Sequence, residues 1–360
     1  MTLVLNDADV AQVLTMEDCM RVLETAYSDM GRGLAANAPR RDTFILPSRK
    51  DSYYSFKTIE GGLSKLGVMA QRINSDMISY PVIDGAARRV KVPLAPGNRY
   101  VGLVFLYSIE TLELLAIFTD GHLQRMRVAG STGVGAKHLA KQGSRVAALL
   151  GSGWQAGAAA WALATARPLK EIRVFSPSRE HRENFAKEVA RQLHIEVIPV
   201  DNVRKAVAGS DIVATATNSH SPVFKGEWIE PGMHVTCITA SEFDDEVWKK
   251  SDLIVFSSPS ADYSAYNLEN LGMAITSDED KRRLENEHFQ VFRKKIFFLA
   301  DLLNGKTPKR SDERQVTMLN KGWGLGIEFA AVGKIVYDKA REAGLGKDIP
   351  TEWFSQTSHP

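Results

Sequence analysis

A glycine motif near the middle of the chain is the first stretch whose residue types could do chemistry. In "RVAALLGSGWQAG" an apolar, strand-like run leads into residues 151–156 and then into an alanine-rich helical pattern. Gly151 permits a tight turn, Gly153 lets the backbone approach a pyrophosphate, and Ala156 keeps helix and strand close. The free N–H groups of the helix start favour phosphates. The motif predicts a dinucleotide site, the alternative being a tight turn without a ligand. The predicted contacts are Gly151, Ser152, Gly153, Gln155 and Ala156.

The end of the next strand-like run indicates which dinucleotide would bind. A dinucleotide-binding protein usually has an acid there for the ribose hydroxyls of NAD, whereas this chain reads "VFSPSRE". Ser176 and Ser178 supply hydroxyl donors, and Arg179 supplies a planar cation suited to a 2′-phosphate. The pattern favours NADP(H), with NAD(H) as the second option. Ser178 is also a good N-cap for the following helix, which is the plainer interpretation.

Six strand-like runs follow one another from residue 145 onward, separated by helical patterns at 155–166, 179–192 and 202–208. Nearly continuous apolar strands that alternate with helices are typical of a parallel sheet covered on both faces. We therefore predict a doubly wound Rossmann domain over residues 126–319. The predicted strands are 145–150, 171–175, 194–199, 211–216, 233–239 and 252–257.

The first 125 residues have a mixed α and β pattern. Apolar residues at helical spacing cover residues 7–33, with Gly31 and Gly33 as stops. Strand-like pieces follow in "YYSFKTI", "VMAQRIN", "YVGLVFLYS" and "ELLAIFT". The basic, Pro- and Gly-containing segment 81–99 is predicted to be a surface loop or a mobile flap. A last amphipathic helix, in "GIEFAAVGKIVYDKAREAGLG", is expected to pack back on this first part.

Composition excludes several classes of protein. With 45 basic and 43 acidic residues, the net charge of +2 gives no reason to expect a nucleic-acid partner. No apolar run reaches the ~18 residues of a membrane span, and the N-terminus lacks signal-peptide features. Cys19 and Cys237 are the only cysteines and have no metal-ligand spacing. We expect a cytoplasmic protein without a metal site or a membrane partner.

Several motifs together resemble one known family. "AIFTDGHLQRMRVAGSTGVGAKHLA" precedes the glycine turn, and "DIVATATNSHSPVF", "EWIEPGMHV" and "FFLADLLNGKTPKR" follow it. This series is similar to the ornithine cyclodeaminase/μ-crystallin family. The resemblance covers nearly the whole chain, and it is strongest from residue 116 onward.

The resemblance implies an α/β homodimer with two domains. A substrate-binding and dimerisation domain of α+β type would comprise residues 1–125 plus about 320–360, beside the Rossmann domain. Members of the family exchange hydride between nicotinamide and an amine/imine pair, usually next to a carboxylate. Their substrates are small imino or amino acids and related amines.

Individual residues carry over from the family. Arg127 matches the family's Arg at a helix start, which binds the substrate carboxylate, and a bidentate Arg suits that task. A second Arg corresponds to Arg40 or Arg41 in "NAPRRDTF". Thr217 matches a position near the cofactor. The loop from Ile238 to Ser241 follows a strand end, where the nicotinamide half is expected.

The sequence departs from the family at three places. The substrate-binding Lys of the family falls in "AQRIN", so that Gln71 or Arg72 takes its place. The family's Thr that falls in the strand "YVGLVFLYS", before the Asp-Gly turn, is missing. Ser241 stands where cyclodeaminases have an Asp, with Glu242 adjacent, so we do not expect ornithine cyclodeaminase activity.

Two hypotheses follow. The first is an NADP(H)-dependent imine or ketimine reductase, or a related amino-acid dehydrogenase, which needs a general acid. Glu242 and Lys57 are the candidates, although surface charge is the plainer interpretation of each, and His122 is better explained as structural. The second is a non-catalytic NADP-dependent binding protein or accessory subunit like μ-crystallin, which the missing polar residues favour.

Overall fold

Two β-sheets organise the chain in the computed structural model. The structure describes residues 1–83, 86–219, 221–257, 263–266, 291–322 and 324–358, with the backbone alone for 83, 86, 87 and 263–266. The strands are β1 Thr2–Leu5, β2 Ala35–Asn37, β3 Arg40–Ile45, β4 Ser52–Leu63, β5 Val68–Ser79, β6 Val82–Ile83, β7 Ala86–Ala87, β8 Val90–Val92, β9 Val101–Ser108, β10 Leu114–Thr119, β11 Val146–Leu150, β12 Glu171–Phe175, β13 Glu196–Pro199, β14 Ile212–Thr215, β15 His234–Cys237, β16 Leu253–Phe256, β17 Tyr263–Tyr266, β18 Ile296–Phe298, β19 Thr317–Asn320 and β20 Lys347–Ile349.

The helices cover one face of the first sheet and both faces of the second. They are α1 Asp7–Val13, α2 Met16–Gly31, α3 Asp120–Leu139, α4 Trp154–Ala166, α5 Arg179–Leu193, α6 Val203–Val207, α7 Asp245–Lys250, α8 Leu299–Leu303 and α9 Gly326–Ala343. The predicted continuous helix over 7–33 is instead two helices, because Thr15 leaves the helix and accepts a hydrogen bond from the Asp18 N–H as an N-cap. None of the described helices is long and apolar enough to cross a membrane.

The first sheet has the strand order β17-β3-β4-β5-β9-β10-β1-β20 and is mostly antiparallel. Alternate residues of its strands face the helices, as the period of two requires, and Ile59, Ala70 and Leu106 are buried there. Helix α9 lies directly on β4: a Cβ at Gly326 would overlap the backbone of Glu60. The C-terminal helix therefore packs back on the first part of the chain, as predicted.

The second sheet is parallel throughout, with the order β13-β12-β11-β14-β15-β19-β16-β18. The order reverses between β11 and β14, which is the switch point where open α/β sheets bind ligands at the carboxyl ends of their strands. Separate apolar clusters fill the two faces. This is the predicted α/β architecture with a doubly wound sheet.

Three expectations need correction. The second sheet contains two strands, β18 and β19, in addition to the six that were predicted. Both are short and follow strongly polar segments, so neither the hydrophobic period nor the length of the apolar run reveals them. The predicted start of the Rossmann domain at residue 126 falls inside α3, whose first turn already contains the Asp-Gly pair at 120–121. The segment 81–99 is more than a loop, since β8 pairs with β5; residues 84–85 of this segment lie outside the described part.

Candidate active site

The glycine turn has the geometry that a dinucleotide site needs. Gly151 directly follows β11 with φ 121°, a conformation that side-chain-bearing residues rarely adopt, and a Cβ there would overlap the carbonyl of Ala216. Gly153 caps α4, and a Cβ built on it would meet no atom within 4 Å. The turn therefore leaves an open cradle in front of the helix start, where a phosphate would be stabilised.

Polar groups around this cradle also suit a dinucleotide. The Ser152 hydroxyl donates to Ser176 Oγ at 2.8 Å, which joins the first and second βα turns. Gln155 Oε1 is buried and has no hydrogen-bond partner among the described residues. A buried acceptor without a partner is costly, and a ligand hydroxyl or amide could satisfy it. Ala156 is fully buried under the turn.

The second βα turn brings the three predicted phosphate contacts together. Ser178 caps α5 by accepting from the His181 N–H at 3.2 Å, so the plainer N-cap interpretation is also correct. Arg179 is exposed and paired with Glu183 at 2.7 Å. The guanidinium of Arg182, which the sequence analysis missed, donates to the carbonyls of Ser176 and Pro177. Two cations thus flank this turn.

Glu242 connects the loops that follow β14 and β15. Its Oε1 accepts from the N–H and the hydroxyl of Thr217 at 2.7 and 2.9 Å, and its Oε2 accepts from the N–H groups of Ile238 and Thr239 at 3.2 and 3.1 Å. Burial raises the pKa of this carboxyl, although these hydrogen bonds lower it. The surface-charge interpretation of Glu242 is wrong, because the residue is fully buried.

These residues form the dinucleotide edge, which comprises residues 151–156, 176–179, 217 and 238–241 at the carboxyl end of the second sheet. Gly151 and Thr217 lie on the two sides of the switch point, next to each other. Ser241 lies in the short turn at 240–242, half-buried. The structure thus places all the sequence-predicted cofactor contacts along one edge.

The first sheet presents a group of charged side chains beyond the area that the helices cover. We call this group the cationic band; it consists of Arg40, Lys57, Arg72, Arg89 and Lys91, with the acids Asp42, Asp76 and Asp120. Lys57 Nζ donates to Asp76 Oδ2 at 2.7 Å, and Lys91 Nζ lies 3.0 Å from Asp76 Oδ1. The surface-charge interpretation of Lys57 is also wrong, since the side chain is 5% exposed. Burial and the charge of Arg89 lower the pKa of Lys57 well below its usual value.

Register decides between Gln71 and Arg72. Arg72 lies opposite Ile59 on the helix-facing side of β5, whereas Gln71 points to the other face and donates to Glu60 at 3.4 Å. Arg72 donates through Nη2 and Nε to Asp120 Oδ2 at 2.7 and 3.1 Å. Of the two residues, Arg72 is therefore the one that belongs to the cationic band.

Register also separates Arg40 from Arg41. Asp42 lies opposite Lys57, so Arg40, two residues away on β3, shares its face, and Arg41 points to the opposite, exposed face. The guanidinium of Arg40 makes two parallel bonds to Asp42 at 2.9 and 2.8 Å. Both arginines lie on a strand rather than on a loop, and Arg40 alone belongs to the band.

Arg127 is buried in a network of its own. Nη1 donates to Glu328 Oε2 at 2.6 Å, while Nε and Nη2 donate to Gln124 Oε1 at 3.2 and 2.6 Å. Glu328 Oε1 also accepts from Lys321 Nζ at 2.9 Å and from the Tyr27 hydroxyl at 2.5 Å. Burial opposes the charge of Glu328, but Lys321 and Arg127 outweigh it and lower the pKa of this carboxyl. The edge of Arg127 that would meet a substrate carboxylate is occupied by Gln124.

This network joins the two sheets. Lys321 directly follows β19 at the carboxyl end of the parallel sheet, and Glu328 lies in α9, which packs on the first sheet. The ring of Phe329 lies between two guanidinium groups, 4.7 Å from Arg127 and 5.7 Å from Arg72. A single isolated bridge also connects Arg88, beside the band, with Ser219 after β14. The band and the dinucleotide edge therefore border the same region.

The sequence motifs do not reveal the acids that hold these cations. Asp76 continues the alternation of Arg72 and Asn74 along β5, a signal that could have been used. Glu328 is a lone acid in the apolar run "GIEFAAVG", and such an acid is rarely left unpaired. His122 lies at the outer end of α3, where its backbone N–H donates to Asp7, consistent with the structural interpretation.

Comparison with known proteins identifies the family. The model of the ornithine cyclodeaminase/mu-crystallin family matches residues 1–344. The chain belongs to this family. It is 28% identical over 240 residues to ketimine reductase mu-crystallin of Rattus norvegicus, covering 65% of this chain and 68% of that protein. It is 24% identical over 296 residues to a Delta(1)-pyrroline-2-carboxylate reductase of Bacillus cereus, covering 78% and 86%.

A solved structure confirms the fold of this family member. The Delta(1)-pyrroline-2-carboxylate reductase of Thermococcus litoralis, in complex with NADH and L-proline, aligns with a TM-score of 0.78. The alignment covers 97% of this chain and 100% of that one, at 24% identity. The expected family and fold class are thus both confirmed.

Proposed function

We propose that this family member is an NADP(H)-dependent oxidoreductase that reduces a carboxylate-bearing imine to the corresponding amine. The observation that carries the proposal is the common border of an open dinucleotide turn and a band of cations, of which Lys57 and Arg72 are buried. The rat relative is a ketimine reductase and the Bacillus relative is a pyrroline-2-carboxylate reductase, which supports this reaction type.

In this proposal the dinucleotide edge holds the cofactor. Gly151, Gly153 and the start of α4 would take the pyrophosphate, while Ser176, Ser178 and Arg179, with Arg182, would take a 2′-phosphate. Thr217, Ile238 and Ser241 would border the nicotinamide half, which supplies the hydride when the cofactor is bound. Glu242 positions both loops and has no free oxygen for proton transfer, so we retain Lys57 alone as the proton donor.

Arg72 would bind the substrate carboxylate, assisted by Arg40 and Arg127. For Arg127 to take part, Gln124 must first turn away, because its oxygen accepts from the Nε and Nη2 groups. Asp120 Oδ1 and Asn74 Oδ1 are buried acceptors that have no partner within the described ranges. They could accept N–H groups of an amine next to the carboxylate, which fits an amino-acid-type product.

Lys57 would supply the proton for the amine nitrogen. Its lowered pKa makes proton release at neutral pH easier than for an ordinary Lys, and Asp76 holds the ammonium in place. An exposed Lys would be a weaker acid. Reduction is therefore expected to slow as the pH rises through the pKa of Lys57, because the ammonium form is the donor.

We further propose a cytoplasmic homodimer with two domains: residues 1–125 and about 320–360 for substrate and dimerisation, and 126–319 for the dinucleotide, with α3 crossing the boundary between them. One observation supports the compartment and another supports the domain division, while the dimer is what the family resemblance implies. Both cysteines are free and buried, as in a reducing compartment. The C-terminal strand β20 pairs with β1, which ties the chain end to the first sheet.

The experiment is a steady-state assay of NADPH oxidation with cyclic and acyclic carboxy-imines, the acyclic ones formed from 2-oxo acids and methylamine. We expect turnover that depends on the imine. Arg72→Met should raise KM or lower kcat/KM by about 10–100-fold, since a charge-assisted hydrogen bond to a carboxylate is lost. Tight NADPH binding without turnover on any imine would instead support the non-catalytic binding protein.

A further inference from the structure

The charges of the cationic band do not balance among the residues that the structure describes. Five cations share three carboxylates: Arg40 pairs with Asp42, Arg72 pairs with Asp120, and Lys57 and Lys91 share Asp76. Lys57 is buried whereas Lys91 is 38% exposed, so the excess positive charge reaches the surface, where it is suited to an anionic ligand.

The excess lies at the end of the band away from Arg72. Each oxygen of Asp76 already has its own lysine, 2.7 Å from Lys57 and 3.0 Å from Lys91. Arg89 directly precedes β8, two residues from Lys91, and its charge lowers the pKa of both lysines. One carboxylate thus serves three neighbouring cations.

The position of each residue along β5 gives the distance between the two ends of the cationic band. Arg72 and Asp76 are four residues apart on β5, so their Cα atoms lie about 13 Å apart. Lys57 lies opposite Asn74, halfway between them. Long side chains at both ends shorten the gap, so two acidic groups a few carbon atoms apart could bind with Lys57 between them.

We propose that the substrate is a dicarboxylic imine: Arg72 binds the carboxylate next to the imine carbon, and Lys91 with Arg89 binds the second carboxylate. This inference rests on the proposed function. It adds that β8 and the residue before it determine specificity, because they carry the cations that a monocarboxylic substrate would not use.

The first test compares imines of oxaloacetate and 2-oxoglutarate with imines of pyruvate and 2-oxobutyrate, all formed from methylamine. We expect kcat/KM to favour the dicarboxylic imines by about 10–100-fold, the usual effect of a charge-assisted hydrogen bond. Lys91→Met should reduce this ratio toward one. Lys137→Met is the matched control, because Lys137 is also ion-paired, 2.7 Å from Glu24, and similarly exposed, and it should leave the ratio unchanged. Equal kcat/KM for both classes, or an equal loss on both in Lys91→Met, would overturn the inference.

A binding measurement separates this inference from the reaction itself. Calorimetric titration of the NADPH-loaded protein with glutarate and with butyrate needs no turnover. We expect glutarate to bind at least about tenfold more tightly, and the difference to disappear in Lys91→Met. If no imine is reduced but glutarate still binds preferentially, the reaction fails while the dicarboxylate site stands. If glutarate has no advantage over butyrate, the dicarboxylate site is wrong whatever the assay shows.

Discussion

The dinucleotide edge is built mainly from backbone, whereas the cationic band is built from charged side chains. At the edge, glycine conformations and helix starts create the site, and Gly151 leaves no room for a Cβ. In the band, five of the eight groups come from the three neighbouring strands β3, β4 and β5, and their positions depend on register. A site built from backbone groups tolerates few substitutions at its small residues. A site built from charged side chains can acquire a different ligand when those side chains are substituted. Four predictions test this contrast.

Lys57→Met should have the largest effect. We expect kcat for imine reduction to fall by about 10²–10⁴-fold, the usual contribution of a positioned general acid, while the Kd for NADPH stays the same. The wild-type rate should decline on the alkaline side at a pH well below 10.5, because burial lowers the pKa of Lys57. Initial rates between pH 6 and 10 measure both. A variant that keeps a third of the wild-type kcat would remove Lys57 from the mechanism.

Glu328→Gln tests the connection between the two regions. It leaves Arg127 and Lys321 buried without their counter-ion, so we expect the free energy of unfolding to fall by about 3–5 kcal/mol. Urea denaturation measures the change. Glu246→Gln is the control, because it removes an exposed acid paired with Lys249 and should cost about 1 kcal/mol or less. Similar losses in both variants would show that the network contributes no more than a surface pair.

Glycine substitutions separate fold from binding at the edge. Gly151→Ala forces a side chain into a left-handed conformation and against Ala216, so it should cost about 1–3 kcal/mol of stability and also weaken NADPH binding. Gly153→Ala meets no atom within 4 Å and should weaken NADPH binding with little loss of stability. Gly143→Ala, which is equally open but distant from the edge, should change neither. Thermal melts with and without NADPH distinguish the three; unchanged binding in Gly153→Ala would contradict the cradle.

Arg182→Met should have the smallest effect of these substitutions, and it should change only the preference between NADPH and NADH. Loss of one of two cations beside Ser176 should reduce the ratio of NADPH to NADH affinity by about tenfold, because one charge-assisted contact is lost. Arg191→Met, on the last turn of α5, serves as the control. Equal affinity of the wild type for NADH and NADPH would contradict the 2′-phosphate assignment.

The same contrast explains how much the sequence could predict. The edge was predicted residue by residue, since a strand, two glycines and a helix are adjacent in the chain. In the band, the choice between Gln71 and Arg72 needed the register of β4 and β5. The partners of Arg127 and Lys57 are 201 and 19 residues away, and no local pattern links them. Strand β19 was missed because four residues after a polar segment carry too little periodicity.

Isotope transfer tests the central claim most directly: the band orients an anionic imine toward the nicotinamide at the edge. The protein is incubated with NADPH deuterated at C4 of the nicotinamide and a carboxy-imine, and the amine product is analysed by mass spectrometry. We expect one deuterium on the carbon next to the carboxylate, from one of the two C4 positions, and much less product in Arg72→Met. Deuterium retained entirely in the cofactor, with NADPH tightly bound and no amine formed from any imine, would contradict the account.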